Sequence, residues 1–113
     1  IIIGVIGKFS GRLLLDLSEE TANNIARKML RKDTVGRDEV IAALSEFTNI
    51  ISGNACSTLN RQNQSLGLRV TPPSVLYGEH VLVSAPDYET MTAIAASEYG
   101  LLMLNVGFRR GDE

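Results

Sequence analysis

The sequence predicts an α+β fold: a mostly antiparallel sheet with two helices packed on one of its faces. Two observations carry this prediction. Short apolar runs occur near both ends of the chain, and two amphipathic helical patterns lie consecutively between them. Helices grouped between strand hairpins favour α+β over an alternating βαβ arrangement. The 113 residues, 44% hydrophobic and 21% charged, are typical of a soluble globular chain that forms one domain over residues 1–113.

Seven short apolar segments have the length of strands, and turn-forming residues separate most of them. They lie at residues 1–6, 12–17, 66–70, 75–77, 80–84, 90–97 and 101–108. The first two predict an opening hairpin, and the last two predict a closing hairpin with its turn near Gly100.

Two helices are predicted between these hairpins. Ser18 supplies an N-cap for the first, and the two acids after it suit the positive end of the helix dipole. The apolar residues of this first helix that we expect to be buried are Ala22, Ile25, Ala26 and Met29. The second helix is predicted from Arg37 or Asp38 to about Asn60. Val40, Leu44, Phe47, Ile51 and Ala55 cluster on one side of it, and we expect the first four to be buried.

The opposite face of the second helix carries a polar pair between small residues. Glu46 and Asn49 are three residues apart, which places both side chains on one face of a helix. Ala42 and Gly53 fall on the same face. A glycine inside a helix costs roughly 1 kcal/mol relative to alanine, but small neighbours would let another macromolecule approach closely. The pattern therefore suggests a docking face with two functional groups.

Composition argues against several other classes of protein. The net charge of −2, with three Phe, three Tyr and no Trp, disfavours a nucleic-acid binder. His80 and Cys56 are the only histidine and cysteine, so one chain cannot build a His/Cys metal cluster. A lone cysteine fits a reducing compartment, and we expect the cytoplasm. No apolar run approaches the ~20 residues of a membrane span, so we expect no membrane insertion.

Three segments resemble one known family. Residues 43–55 read ALSEFTNIISGNA, with Glu-x-x-Asn followed by an apolar pair, Gly and Asn. This segment resembles the signature helix of the CheC/CheX/FliY phosphatases of bacterial chemotaxis. The sequence GVIG at residues 4–7 with Gly11, and TPPSVLYG at residues 71–78, are similar to the CheX branch. CheC-type members tend to carry the helix twice, so the single copy here favours a CheX-like domain. The family's helix ahead of the first strand has no counterpart, so we expect an upstream helix to be missing.

The resemblance implies an activity and roles for four residues. The implied substrate is a phosphorylated response regulator of the CheY type, whose aspartyl phosphate is hydrolysed. Asn49 would orient the attacking water, and Glu46 would pair with a lysine in the partner's active site. Ala42 and Gly53 would be contact positions for the partner. No cofactor of its own is expected, because Mg²⁺ would be supplied in the partner's site, and the resemblance also implies a homodimer.

Two alternatives remain open from the sequence. The chain could be a non-catalytic CheX-like adaptor that binds a response regulator or a flagellar switch component. It could also be an unrelated α+β domain whose Glu-x-x-Asn pair, here Glu46 and Asn49, is only a solvated helix face.

Overall fold

The computed structural model describes residues 1–78 and 88–109, and it confirms the α+β prediction. Within these residues a five-stranded antiparallel sheet has the strand order β3-β1-β2-β5-β4. The elements are β1 (Ile2–Ile6), β2 (Gly11–Asp16), α1 (Glu19–Leu30), α2 (Arg37–Gln62), a 3₁₀ turn (Gln64–Leu66), β3 (Arg69–Val70), β4 (Tyr88–Ser97) and β5 (Gly100–Arg109).

Both helices cover the same face of this sheet. Residues that pair directly across antiparallel strands point to the same side, so Ile3 shares a face with its partner Leu13, and Leu15 with Leu104. Ile3 and Leu15 are fully buried. On this face α1 contacts β5, whereas α2 contacts β1 and β3. The long second helix thus lies over one half of the sheet and presents its outer side to solvent.

Local hydrogen bonds fix where each helix begins. The N–H of Thr21 donates to Ser18 Oγ at 3.1 Å, which confirms the predicted N-cap of α1. At α2, the N–H of Gly36 donates to Glu39 Oε1 at 3.0 Å, and Lys32 donates to the other oxygen of this carboxylate. The hydrogen bond from Lys32, followed by that from Gly36, lowers the pKa of Glu39. α2 therefore starts at Arg37, one of the two predicted start positions.

The buried stripe of α2 differs from the predicted one. Ala43 is one of the six buried residues, and the other five recur every four residues: Val40, Leu44, Thr48, Ser52 and Cys56. Four residues turn an α-helix by about 400°, so this stripe winds around the helix by about 40° at each step. The N-terminal half packs on α1, and the C-terminal half packs on Val5 and Leu68.

Several predicted core positions are therefore corrected. Val40 and Leu44 are buried as predicted, whereas Phe47 and Ile51 are only half-buried. Ala55 is exposed, because the buried stripe has turned away from it by that point. Met29 is 38% exposed in the last turn of α1, which ends one residue later. The burial predicted for Phe47 and Ile51, and the placement of Ala55 on the same side, assumed a straight apolar stripe.

The strands predicted between α2 and the closing hairpin also differ from those observed. Within the predicted strand 66–70, only Arg69–Val70 pairs with β1, because the chain forms a 3₁₀ turn just before it. Residues 75–77 form no strand; a single bridge joins Ser74 to Ile2. The predicted strand at 80–84 lies outside the described residues. The closing hairpin is confirmed, with positive φ at Gly100 in its turn.

Candidate functional site

Glu46 and Asn49 lie on the outer face of α2, as predicted. Both side chains are exposed, and α2 runs unbroken from Arg37 to Gln62. At about 1.5 Å of rise per residue, the two positions are about 4.5 Å apart along the helix axis. No hydrogen bond or ion pair with the described residues engages either side chain. A carboxylate and a carboxamide are thus presented together and are free to contact a partner.

The opposite side of the same helical turn anchors this pair to the core. Thr48, which lies between Glu46 and Asn49 in the sequence, points to the core and is fully buried. Its Oγ1 donates to the carbonyl of Leu44 at 2.7 Å. This bond satisfies a hydroxyl that would otherwise be buried without a partner. Leu44 itself packs into the cluster that joins α1 and α2. The buried side of this helix turn therefore holds Glu46 and Asn49 in place.

The two small residues predicted on this face also lie at its surface. Ala42 is exposed, and a Cβ added to Gly53 would meet no atom within 4 Å. Gly53 has no positive φ, so the fold does not require a glycine for backbone reasons. Its cost to helix stability, roughly 1 kcal/mol, has no packing explanation. The glycine instead leaves open space beside Asn49.

This arrangement suits recognition of a charged, hydrated centre. A carboxylate can accept hydrogen bonds from a cation, and a carboxamide can both donate and accept, so it can hold a water in one orientation. The structure brings Glu46, Asn49, Ala42 and Gly53 together on one exposed helix face. Ile50 is also exposed on this face, and its offset from the apolar stripe is the one signal of this in the sequence.

The other segments singled out by the resemblance have structural roles next to each other. The N–H of Gly4 donates to Thr71 Oγ1 at 2.9 Å, and the N–H of Thr71 donates to the carbonyl of Gly4 at 2.9 Å. A Cβ on Gly4 would lie 2.8 Å from Thr71 Oγ1, and one on Gly11 would lie 2.4 Å from the carbonyl oxygen of Gly107. These glycines allow close approach of neighbouring backbone and side chains, which explains them without a ligand.

A cavity of about 790 Å³ offers an alternative site between the start of α1, the start of α2 and residues 75–78. The guanidinium of Arg37 lies 4.6 Å from the ring centroid of Tyr77 and 3.8 Å from the carboxylate of Glu19. These charged and aromatic rim groups contact one another. We therefore take the exposed polar face of α2 as the candidate functional site.

Other kinds of site find no support in the described part of the chain. Residues 1–78 and 88–109 contain no group of three or more His, Cys, Asp or Glu that could hold a metal ion. Cys56 is buried against Val5 and Leu68, and burial raises the pKa of its thiol. None of the helices in these same ranges combines the length and hydropathy that a membrane crossing requires.

Comparison with known proteins identifies the family. The family model for the chemotaxis phosphatase CheX matches residues 1–97. Among solved structures, one match is the CheX of a CheX-CheY-BeF₃-Mg²⁺ complex from Borrelia burgdorferi, which is 27% identical with a TM-score of 0.83. This match covers 96% of the present chain and 74% of the Borrelia chain. A CheX from Desulfovibrio desulfuricans is 20% identical with a TM-score of 0.86, covering 96% and 72%. A CheX from Vibrio vulnificus is 21% identical with a TM-score of 0.82, covering 96% and 73%.

No curated protein matches this chain closely enough to count as a relative. The family model nevertheless spans most of the sequence, including all of α2 and its exposed polar pair. The matched solved structures share its arrangement of two helices and an antiparallel sheet. The chain belongs to the CheX family of chemotaxis phosphatases.

Proposed function

We propose that this protein is a cytoplasmic phosphatase that hydrolyses the aspartyl phosphate of a CheY-type response regulator. The observation that carries this proposal is the exposed Glu46–Asn49 pair on α2, within a chain that belongs to the CheX family. The Borrelia burgdorferi structure, 27% identical, contains CheX together with CheY, BeF₃ and Mg²⁺. It supports a receiver as the partner of this chain.

The chemistry of the two side chains fits that reaction. Phosphoryl transfer has a loose transition state, so holding a water in line with the phosphorus contributes more than a strong base does. We propose that Asn49 holds this water through its amide, which takes no proton at neutral pH. Glu46 pairs with a lysine of the receiver and so orients the complex. The magnesium ion belongs to the receiver's own site.

The decisive measurement is the rate of dephosphorylation of a panel of phosphorylated CheY-type receivers, with and without this protein. We expect at least one receiver to lose its phosphoryl group faster when the protein is present in catalytic amounts. A protein that binds a BeF₃-activated receiver without accelerating phosphate loss would instead be an adaptor. Failure to bind or dephosphorylate any receiver in the panel would contradict the proposal.

Replacing Glu46 with alanine tests the orienting contact. Because its side chain is exposed and unpaired among the described residues, we expect Glu46→Ala to leave the unfolding temperature unchanged. Loss of a charge-assisted contact should weaken binding to the BeF₃-activated receiver about tenfold or more, and should slow dephosphorylation as well. Glu20→Ala, which removes an exposed carboxylate from the first turn of α1, is the matched control. Equal binding by wild type and Glu46→Ala would remove Glu46 from the proposed site.

We also propose that the protein forms a homodimer through its sheet edges. Within the described residues, the ten-residue β4 lies at one edge of the sheet, and its Met91 is 80% exposed. Long, exposed edge strands tend to pair with another chain. Light scattering on the full-length protein at tens of micromolar should give twice the mass of one chain, and Met91→Lys should lower that mass. A single-chain mass for the wild type would count against the dimer.

A further inference from the structure

The exposed face of α2 carries a large apolar side chain next to the polar pair. Ile50 is 48% exposed, whereas Ile51 is half-buried on the core side. Residues four apart on a helix form a continuous ridge. One such ridge contains Ala42, Glu46, Ile50 and Asn54, and all four are exposed.

A second ridge of residues four apart runs beside the first on the same face of α2. Asn49, Gly53 and Ser57 are again four residues apart, so the next two positions after Asn49 on this ridge carry small side chains. The space around Gly53 is open, since an added Cβ would touch nothing within 4 Å. Ile50 is therefore a large exposed apolar side chain directly beside Glu46 and Asn49, and the other side chains on these two ridges near it are small or polar.

Building on the proposed phosphatase function, we propose that Ile50 determines affinity for the receiver by entering an apolar hollow beside the phosphorylated aspartate. Single exposed apolar residues are common and usually have no role. Ile50 differs because it lies on the ridge that carries Glu46, and because Gly53 leaves room for a partner to close around it. An apolar contact of this kind stabilises the bound substrate and the transition state equally. It should therefore affect KM and leave kcat unchanged.

The experiment compares Ile50→Ala with the wild type in steady-state dephosphorylation and in binding of the BeF₃-activated receiver. Burial of the exposed half of this side chain predicts that truncation raises KM and Kd about fivefold, with kcat within about twofold. Ile50→Leu should restore binding. The matched control is Leu59→Ala, because Leu59 is 39% exposed on the opposite side of the same helix. The unfolding temperatures of the two Ile50 variants should stay close to that of the wild type, since alanine and leucine favour helix more than isoleucine does.

The outcomes separate this inference from the proposed function. A wild-type protein that binds the activated receiver without speeding phosphate loss overturns the phosphatase function, while the binding comparison still decides the role of Ile50. Unchanged binding by Ile50→Ala overturns the inference, and so does an equal loss in Leu59→Ala. A change in kcat with no change in KM overturns it as well, because Ile50 would then act in the chemical step.

Discussion

Asn49→Ala is expected to reduce stimulated dephosphorylation of the receiver about 100-fold. If Asn49 holds the attacking water, its loss removes the alignment of that water with the phosphorus, and small misplacements in such reactions cost about this much. Binding of the BeF₃-activated receiver should change little, because the water and not the partner is the main ligand of Asn49. A large loss of rate at nearly constant affinity is the signature of a residue that acts in the transition state.

The fold should survive this substitution. The Asn49 side chain is exposed and makes no hydrogen bond to the described residues, and alanine has a higher helix propensity. Gln62→Ala is the matched control, since it removes another exposed amide at the end of the same helix. If Asn49→Ala and Glu46→Ala both keep wild-type rates, the phosphatase assignment to α2 fails, and an adaptor function becomes the better explanation.

The features predictable from the sequence were those set by local chemistry. Ser18 and the acids after it located the start of α1, and Arg37 opens α2 as expected. The polar pair was correctly predicted to be exposed, because Glu46 and Asn49 lie on the side of the helix opposite the buried Val40 and Leu44. A pattern within one helix depends only on the helical repeat of about 3.6 residues, so it can be predicted without knowing which element packs against that helix.

The features that the sequence could not predict depend on how elements cross. α2 packs on α1 at one end and on the sheet at the other, so its buried stripe winds along the helix. Because the stripe winds, Thr48 and Ser52 are buried while Ala55 is exposed. Hydropathy ranks these residues the other way. The single bridge of Ser74 to Ile2 is equally non-local, because it depends on the position of β1.

Gly53→Leu should change stability and function in opposite directions. The fold has room for the new side chain, since a Cβ at this position meets nothing within 4 Å and the backbone is ordinary helix. Leucine favours helix over glycine by about 0.8 kcal/mol, which should raise the unfolding temperature by about 4 °C. Calorimetry of the variant measures this gain directly.

The same substitution should weaken receiver binding and dephosphorylation about 100-fold. A leucine would fill the gap beside Asn49 that the proposed docking requires, and overpacked contacts typically cost about 1–3 kcal/mol. Gly53→Ala is the matched control: it should match the stability gain while causing a much smaller loss of binding, because it adds a single methyl group. Gln62→Leu adds a comparable side chain at the end of α2 and should leave binding unchanged. Wild-type affinity in a stabilised Gly53→Leu protein would mean that no partner closes on this face, and the receiver would have to dock elsewhere.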